Sequence, residues 1–145
     1  MPEIVVGYDG SANAAYALGW AMRQAALQRA TLTVLAVNEV APSAWTGDPA
    51  VMPQDAVMLQ QARQAAEDAV TKAASELGEG ERPSVTVTAK NGFAAQELVE
   101  ASLDADLLVV GSRGQLGFPA LRLGATSTKI AHYASCPIVI MPPAN

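Results

Sequence analysis

Short apolar runs alternate along this chain with longer segments in which apolar residues recur every three or four positions. The short runs predict strands near Glu3 to Gly7, Thr31 to Val37, Val85 to Lys90, Asp106 to Gly111 and Pro137 to Met141. The longer segments predict helices near Ser11 to Gln28, Gln54 to Leu77, Ala94 to Leu103 and Ser127 to Ala134. Because strands alternate with helices, we expect right-handed crossovers and a mainly parallel sheet with helices on both faces.

The second predicted helix and the segment before it differ sharply in pattern. The helix has an apolar face formed by Leu59, Ala62, Ala66, Ala69, Val70, Ala73 and Leu77. Residues 39–53 contain three prolines, Gly47 and the apolar Trp45. A connection of this length without structure is unusual in a compact domain, so we expect either a lid over a site or a disordered segment.

Composition narrows the class of protein. At 145 residues, half of them apolar, we expect one domain over residues 1–145. The net charge of −5 and the absence of a Lys/Arg run argue against binding to nucleic acid or to an anionic membrane. No apolar run approaches the roughly 18 residues of a membrane span. Cys136 is the only cysteine, which fits a reducing compartment, and we expect a cytoplasmic protein.

Three glycines give the clearest chemical signal. Gly111, Gly114 and Gly124 follow a predicted buried strand with the spacing G-x2-G-x9-G. Glycines let the backbone turn sharply and approach a ligand, and Thr126 or Ser127 could cap the helix that follows. Free N–H groups and the positive helix end would then face one spot. The pattern predicts a phosphate site, with a simple tight turn as the alternative.

Several segments in order resemble the universal stress protein family over essentially the whole chain. They are Val-Gly-Tyr-Asp-Gly-Ser at 6–11, Leu-Gly-Trp-Ala at 18–21, the strand at 31–37, the glycine-spaced loop and Cys-Pro-Ile-Val-Ile at 136–140. The resemblance implies a single doubly wound, five-stranded parallel sheet of order 3-2-1-4-5. It also implies ATP binding, because the ATP-binding members carry the same glycine spacing. This chain departs from them at Ala125, where they have Ser or Thr.

In such a fold the strand order reverses between the first and fourth strands, where open sheets bind their ligands. The implied nucleotide-binding residues are Gly7, Tyr8, Asp9, Val37, Gly111, Ser112, Arg113, Gly114, Gly124, Ala125, Thr126 and Ser127. The resemblance puts Asp9 beside the ribose or a phosphate-bound Mg²⁺, and Val37 against the adenine ring. From the pattern alone, Asp9 would be a turn carboxylate and Val37 a core residue.

The expected ligand is ATP, bound with or without Mg²⁺, and the alternatives are AMP and ADP. A hydroxyl bond to phosphate contributes roughly 1.5–3 kcal/mol, so its loss at Ala125 weakens binding by about one to two decades. Arg113, Arg122 or Lys129 could offset the phosphate charge.

No catalytic residues are expected. His132 is the only histidine and is placed at the surface or at a dimer contact, whereas Cys136 is expected as a small buried side chain. Ser112 has no base to activate it, and the common NTPase, dehydrogenase, hydrolase and zinc-protease motifs are absent. ATP is therefore expected to be a regulatory ligand, with slow ATP hydrolysis or nucleotide transfer as the enzymatic alternative.

The last predicted strand, 137–141, is apolar and uncharged and would lie at a sheet edge. Such an edge favours pairing with a second copy, and the resemblance implies a homodimer through this strand. The leading hypothesis is a dimeric signalling module that binds ATP and acts on an unknown protein partner. The alternative is a family member that has lost nucleotide binding and acts through protein contacts alone.

Overall fold

The computed structural model describes residues 2–112 and 125–143. Its strands are β1 (Glu3–Gly7), β2 (Thr31–Glu39), β3 (Ala41–Pro42), β4 (Pro49–Ala50), β5 (Val85–Gly92), β6 (Leu107–Gly111) and β7 (Ile138–Met141). Its helices are α1 (Ala12–Gln28), α2 (Asp55–Ser75), α3 (Ala94–Ala101) and α4 (Ala125–Tyr133), with a 3-10 turn at Glu79–Glu81. Every predicted strand and helix is present, with differences at its ends, whereas β3, β4 and the 3-10 turn were not predicted.

Five strands form one parallel sheet in the order β5-β2-β1-β6-β7. Val5 in the central strand lies between Thr33 of β2 and Leu108 of β6, which sets the register of the sheet. Counted along the chain without the two short strands, this order is 3-2-1-4-5. The predicted fold is therefore confirmed, and β7 lies at an edge, where it pairs with β6.

The sheet is buried on both faces. On one side, Ile4, Val6 and Val34 pack against α1 residues such as Leu18 and Met22. On the other side the core contains Val5, Leu35, Leu108 and Val110 together with Leu98 of α3 and Ile130 of α4. Alternate residues of each strand thus enter different cores, which is why the strands read as continuous apolar runs. Within residues 2–112 and 125–143, no helix has the length and apolarity to cross a bilayer.

The second helix buries the face that its periodicity predicts. Ala66 is fully buried, and Ala62, Ala69, Val70, Ala73 and Leu77 pack against the first core. Most other positions of α2 are exposed.

The segment before α2 is ordered. Strands β3 and β4 pair with each other in an antiparallel hairpin, so of the two alternatives for residues 39–53 the disordered segment is wrong, and the lid stays a prediction. The reason lies in local hydrogen bonds at the turn, where Ser43 N–H donates to the Asp48 carbonyl at 2.7 Å and Gly47 N–H to the Ser43 carbonyl at 2.9 Å. Gly47 has a φ of +77°, a conformation that glycine adopts without strain.

Candidate functional site

The loop after β1 is shaped by its own polar side chains. Asp9 accepts a hydrogen bond from the Ser11 N–H at 2.9 Å, and Ser11 Oγ accepts from the Ala14 N–H at 3.0 Å as the N-cap of α1. Gly10 between them has a φ of +85°. The Tyr8 N–H donates to the Leu35 carbonyl at 3.0 Å, which keeps the start of the loop aligned with β2. The turn role of Asp9 is therefore present, and its carboxylate is exposed at the carboxyl end of the sheet.

The loop after β6 is joined to the start of α1 by Asn13. Ser112 Oγ donates to Asn13 Oδ1 at 3.3 Å, and Asn13 Nδ2 donates to the carbonyls of Met141 and Pro142, each at 3.3 Å. Ser112 is buried, and its N–H donates to the Met141 carbonyl at 2.8 Å. Asn13 thus connects α1 with the ends of β6 and β7.

Close packing explains why glycine occupies position 111. A Cβ built on Gly111 would lie 2.9 Å from both Cγ and Oδ1 of Asn13, closer than real Cβ contacts allow. The contribution of Asn13 was not predicted from the sequence. Its signal was a single polar amide in the alanine-rich first turn of a helix, which does not identify partners more than a hundred residues away.

Ser127 does not cap α4. The helix begins at Ala125, two residues before the predicted start, so Thr126 and Ser127 lie in its first turn and the expected cap at either residue is wrong. Ser127 is buried, and its Oγ donates to the Gly111 carbonyl at 2.6 Å. The hydroxyl bonds there because β6 passes beside the first turn of α4, and it ties that turn to the end of β6.

Val37 and Gly7 lie on the face of the sheet covered by α3. Val37 is half-buried and packs against the second core, and it is in register with Lys90 of β5. A Cβ built on Gly7 would lie 3.1 Å from Cδ1 of Leu98, so α3 packs directly over the end of β1. Lys90 Nζ lies 3.7 Å from Glu97 Oε1 at the outer side of this region.

Part of the predicted phosphate loop lies outside the described residues. Arg113, Gly114, Arg122 and Gly124 belong to that part, and of Ala125 only the backbone is described. The described site residues lie at the carboxyl ends of β1 and β6 or in the first turn of α4. Those at β1 are Gly7, Tyr8 and Asp9, those at β6 are Gly111 and Ser112, and those in α4 are Thr126 and Ser127.

The Tyr8 side chain lies at the start of the loop after β1. Burial, and secondly the Asp9 carboxylate, raise the pKa of the Tyr8 phenol, so this group stays neutral over a wider pH range than a free tyrosine. Among residues 2–112 and 125–143, no three His, Cys, Asp or Glu side chains are grouped so as to hold a metal ion.

Besides Ser112, the side chains considered for chemistry are those of His132 and Cys136. His132 is exposed on α4, as expected. Cys136 is half-buried, so the expectation that it is fully buried is wrong; it lies in the turn before β7, at the rim of the second core. Burial and the nearby Asp106 carboxylate raise the pKa of its thiol, which disfavours the reactive thiolate.

Three solved structures share this fold at low sequence identity. The universal stress protein UspA from Lactobacillus plantarum superposes with a TM-score of 0.73 at 19% identity, covering 97% of each chain. A universal stress protein solved in complex with cAMP gives a TM-score of 0.63 at 23% identity, over 99% of this chain and 98% of the other. A protein from Archaeoglobus fulgidus solved with dAMP gives 0.62 at 16% identity, over 97% of each chain.

Sequence relatives identify the family. A universal stress protein of Mycolicibacterium smegmatis is 35% identical over 138 residues, which cover 95% of this chain and 47% of the relative. One from Mycobacterium tuberculosis is 33% identical over 140 residues, with 95% and 46% coverage. This chain thus spans about half the length of the curated relatives it matches. The family model described as "Universal stress protein family" matches residues 1–142, and the chain belongs to the universal stress protein family.

Proposed function

We propose that this protein binds ATP in the crevice between the carboxyl ends of β1 and β6 and acts in the cytoplasm as a dimeric, nucleotide-responsive regulator. One observation carries the proposal. The central strand β1 has β2 as one neighbour and β6 as the other, and the chain continues from β1 to β2 and only later reaches β6. The strand order therefore reverses between β1 and β6. Open α/β sheets bind ligands at such a reversal, outside the carboxyl ends of the strands.

The surroundings of the crevice favour an anion. Helix α1 follows the β1 loop, and the first turn of α4 is tied to the end of β6 by Ser127. Helix N-termini carry partial positive charge and unpaired N–H groups, both of which favour phosphate. Arg113 and Lys129 are proposed to supply the positive charge that a chain of net charge −5 needs locally.

The base is proposed to be adenine. Val37 offers an apolar surface near the carboxyl end of β2, two residues beyond Leu35, which is in register with Gly7 of the neighbouring strand. Two structures with the same fold were solved with cAMP and with dAMP, and both ligands contain adenine. ATP, ADP and AMP share that base, so an experiment must distinguish which of the three nucleotides is bound. Asp9 is proposed to contact the ribose or a Mg²⁺ ion carried by the phosphates.

Isothermal titration calorimetry with Mg-ATP tests the proposal directly. We expect about one site per chain with a dissociation constant in the micromolar range or weaker, and weaker binding of GTP. The absence of both binding heat and thermal stabilisation at millimolar ATP would contradict the proposal. Mass spectrometry of nucleotide released from protein purified without added ligand identifies the bound species independently.

Ala125→Ser is expected to tighten ATP binding by up to about one to two decades. The reason is that a serine would restore a hydroxyl hydrogen bond to phosphate, which contributes roughly 1.5–3 kcal/mol. Calorimetry on both proteins measures the change, with Ala125→Val as a control that adds bulk without a hydroxyl. Unchanged affinity in the serine variant would show that the backbone or Thr126 already fills this role.

A second candidate function is regulation through protein contacts without a nucleotide. It is favoured by two features of α4, the missing hydroxyl at Ala125 and the engagement of the Ser127 hydroxyl by the Gly111 carbonyl. The calorimetric experiment separates the two candidates, because this one predicts no binding heat. ATP hydrolysis is the enzymatic alternative, and release of inorganic phosphate above the rate of free ATP would support it.

A further inference from the structure

A group of large apolar side chains is exposed at the end of the molecule where β2 leads into α2. We call residues 41–58 the apolar arm; it comprises the β3–β4 hairpin and the first turn of α2. Trp45 in the hairpin turn is 94% exposed, and four further side chains are 49–61% exposed, namely Val51, Met52, Val57 and Met58. In the first turn of α2, Ala56, Val57 and Met58 are exposed and only Asp55 is buried.

The apolar arm is held in place by hydrogen bonds to a buried carboxylate, that of Asp55. Asp55 is 8% exposed, and its carboxylate accepts hydrogen bonds from the Met52 N–H at 2.7 Å and from Asn38 Nδ2 at 3.1 Å. Asn38 Nδ2 also donates to Asn91 Oδ1 at 2.9 Å. The arm is therefore anchored to the ends of β2 and β5. A surface that is ordered before binding loses less conformational entropy when a partner docks.

Exposure of these side chains points to an interface. Single apolar residues on a surface are common, but neighbouring large ones mark interaction sites. Tryptophan and methionine are enriched in interfaces, where tryptophan often anchors binding and methionine adapts to irregular partners. The apolar arm presents one tryptophan and two methionines within 14 residues of sequence, Trp45 to Met58.

The charge of the arm specifies the partner. The apolar arm itself contains no lysine or arginine, and its acidic residues are Asp48 and the buried Asp55. Glu39 lies just before the arm at the end of β2, where its carboxylate accepts a hydrogen bond from the Ala94 N–H at 2.6 Å. Glu39 and Asp48 are exposed. A second arm of the same acidic charge would be repelled, as would nucleic acid or an anionic lipid surface.

We infer that the apolar arm docks an amphipathic helical segment of a partner protein whose apolar face is flanked by lysine or arginine. An amphipathic helix that docks on an exposed apolar surface binds through its apolar residues, and the charges that flank them select the partner. The inference rests on the regulatory role proposed above, since it names the class of partner, but it does not require nucleotide binding.

A fluorescence titration tests this inference. Trp20→Phe leaves Trp45 as the only tryptophan, and the probe is a tryptophan-free synthetic amphipathic helix of leucine and lysine. We expect a blue shift of Trp45 emission and micromolar binding that weakens at high salt. Calorimetry on the unmodified protein repeats the measurement without relying on the Trp20 substitution.

Variants of the arm sharpen the test. The double variant Met52→Gln, Met58→Gln and the single variant Asp48→Lys should each weaken peptide binding at least about tenfold. Leu27→Ala is the matched control, because Leu27 is 80% exposed but lies near the far end of α1. It should leave binding unchanged.

Three results would overturn the inference. The first is equal binding of a peptide in which glutamate replaces lysine. The second is a blue shift of Trp45 emission when zwitterionic lipid vesicles are added without peptide, which would assign the arm to a lipid surface. The third is self-association that Trp45→Ala abolishes, which would assign it to a second copy. If the unmodified protein binds Mg-ATP but not the peptide, only this inference fails. If it binds the peptide but not Mg-ATP, only the nucleotide proposal fails.

Discussion

Gly111→Ala is expected to weaken Mg-ATP binding by at least about 100-fold, or roughly 2.7 kcal/mol. The new methyl group would lie 2.9 Å from Cγ and Oδ1 of Asn13. Asn13 resists displacement because its amide donates to the Met141 and Pro142 carbonyls at 3.3 Å. The loop after β6 must then move away from α1, which separates the two loops that form the proposed crevice.

The control for this prediction is Gly80→Ala. Apart from the residue itself, its two chain neighbours and the backbone of its own turn, no atom lies within 4 Å of a Cβ built on Gly80, and this residue lies in the 3-10 turn beyond α2. Calorimetry measures binding, and a thermal melt verifies that each variant is folded. Gly114→Val should also abolish binding, because a β-branched side chain would occupy the space expected for phosphate. Wild-type affinity in a folded Gly111→Ala protein would refute the crevice between β1 and β6 as the nucleotide site.

Ile140→Pro is expected to convert the proposed dimer into monomers. The carbonyl of Pro137, directly before β7, accepts from the Leu108 N–H of β6 at 3.0 Å, and the carbonyl of Met141 in β7 accepts from the N–H of Ser112, directly after β6, at 2.8 Å. Because successive residues of a strand direct their backbone groups to opposite sides, the N–H of Ile140 faces the open edge. Proline removes that donor and leaves the ladder to β6 intact.

A matched variant separates the side chain from the backbone. Ile140→Ala keeps the N–H and should remain a dimer at low micromolar concentration, with or without ATP. Lysine at Val139 or Ile140 is less selective, since both side chains are half-buried against the chain's own cores. Sedimentation or light scattering measures the mass. A monomeric unmodified protein at these concentrations, or a proline variant that stays dimeric and folded, would remove β7 from the proposed interface.

The fold could be predicted from the sequence because periodicity records which side of each element is buried. The apolar runs around Val5 and Leu108 predicted strands covered on both faces, and both residues are buried in the second core. The face of α2 that contains Ala66 was equally plain from spacings of three and four. The resemblance of the glycine-spaced segment and the terminal strand to one family then supplied the strand order.

The loops around the candidate site were less predictable, because their hydrogen bonds join residues distant in sequence. Ser127 lies 16 residues from Gly111, and Asn13 lies 128 residues from Met141. A serine at a predicted helix start is expected to cap the helix by accepting from an N–H, but α4 begins at Ala125. Ser127 therefore lies within the first turn, and its hydroxyl donates to the Gly111 carbonyl. The resemblance named Gly7, Tyr8, Asp9, Val37 and Ser112 as site residues, and their role in binding stays a prediction.

The sequence by itself determined the five strands of the parallel sheet, the four helices, the burial of the sheet on both faces and the family, since these depend on local periodicity and on motifs in order. Only the tertiary structure decided that Asn13 links α1 to β6 and β7, that Ser127 bonds to Gly111, and that Asp55 of the apolar arm is buried and bonded to Asn38. The physical reason is that a polar group removed from water bonds to whichever partner packing places within about 3 Å. That partner is selected by the sheet and its helices, and no local pattern encodes it.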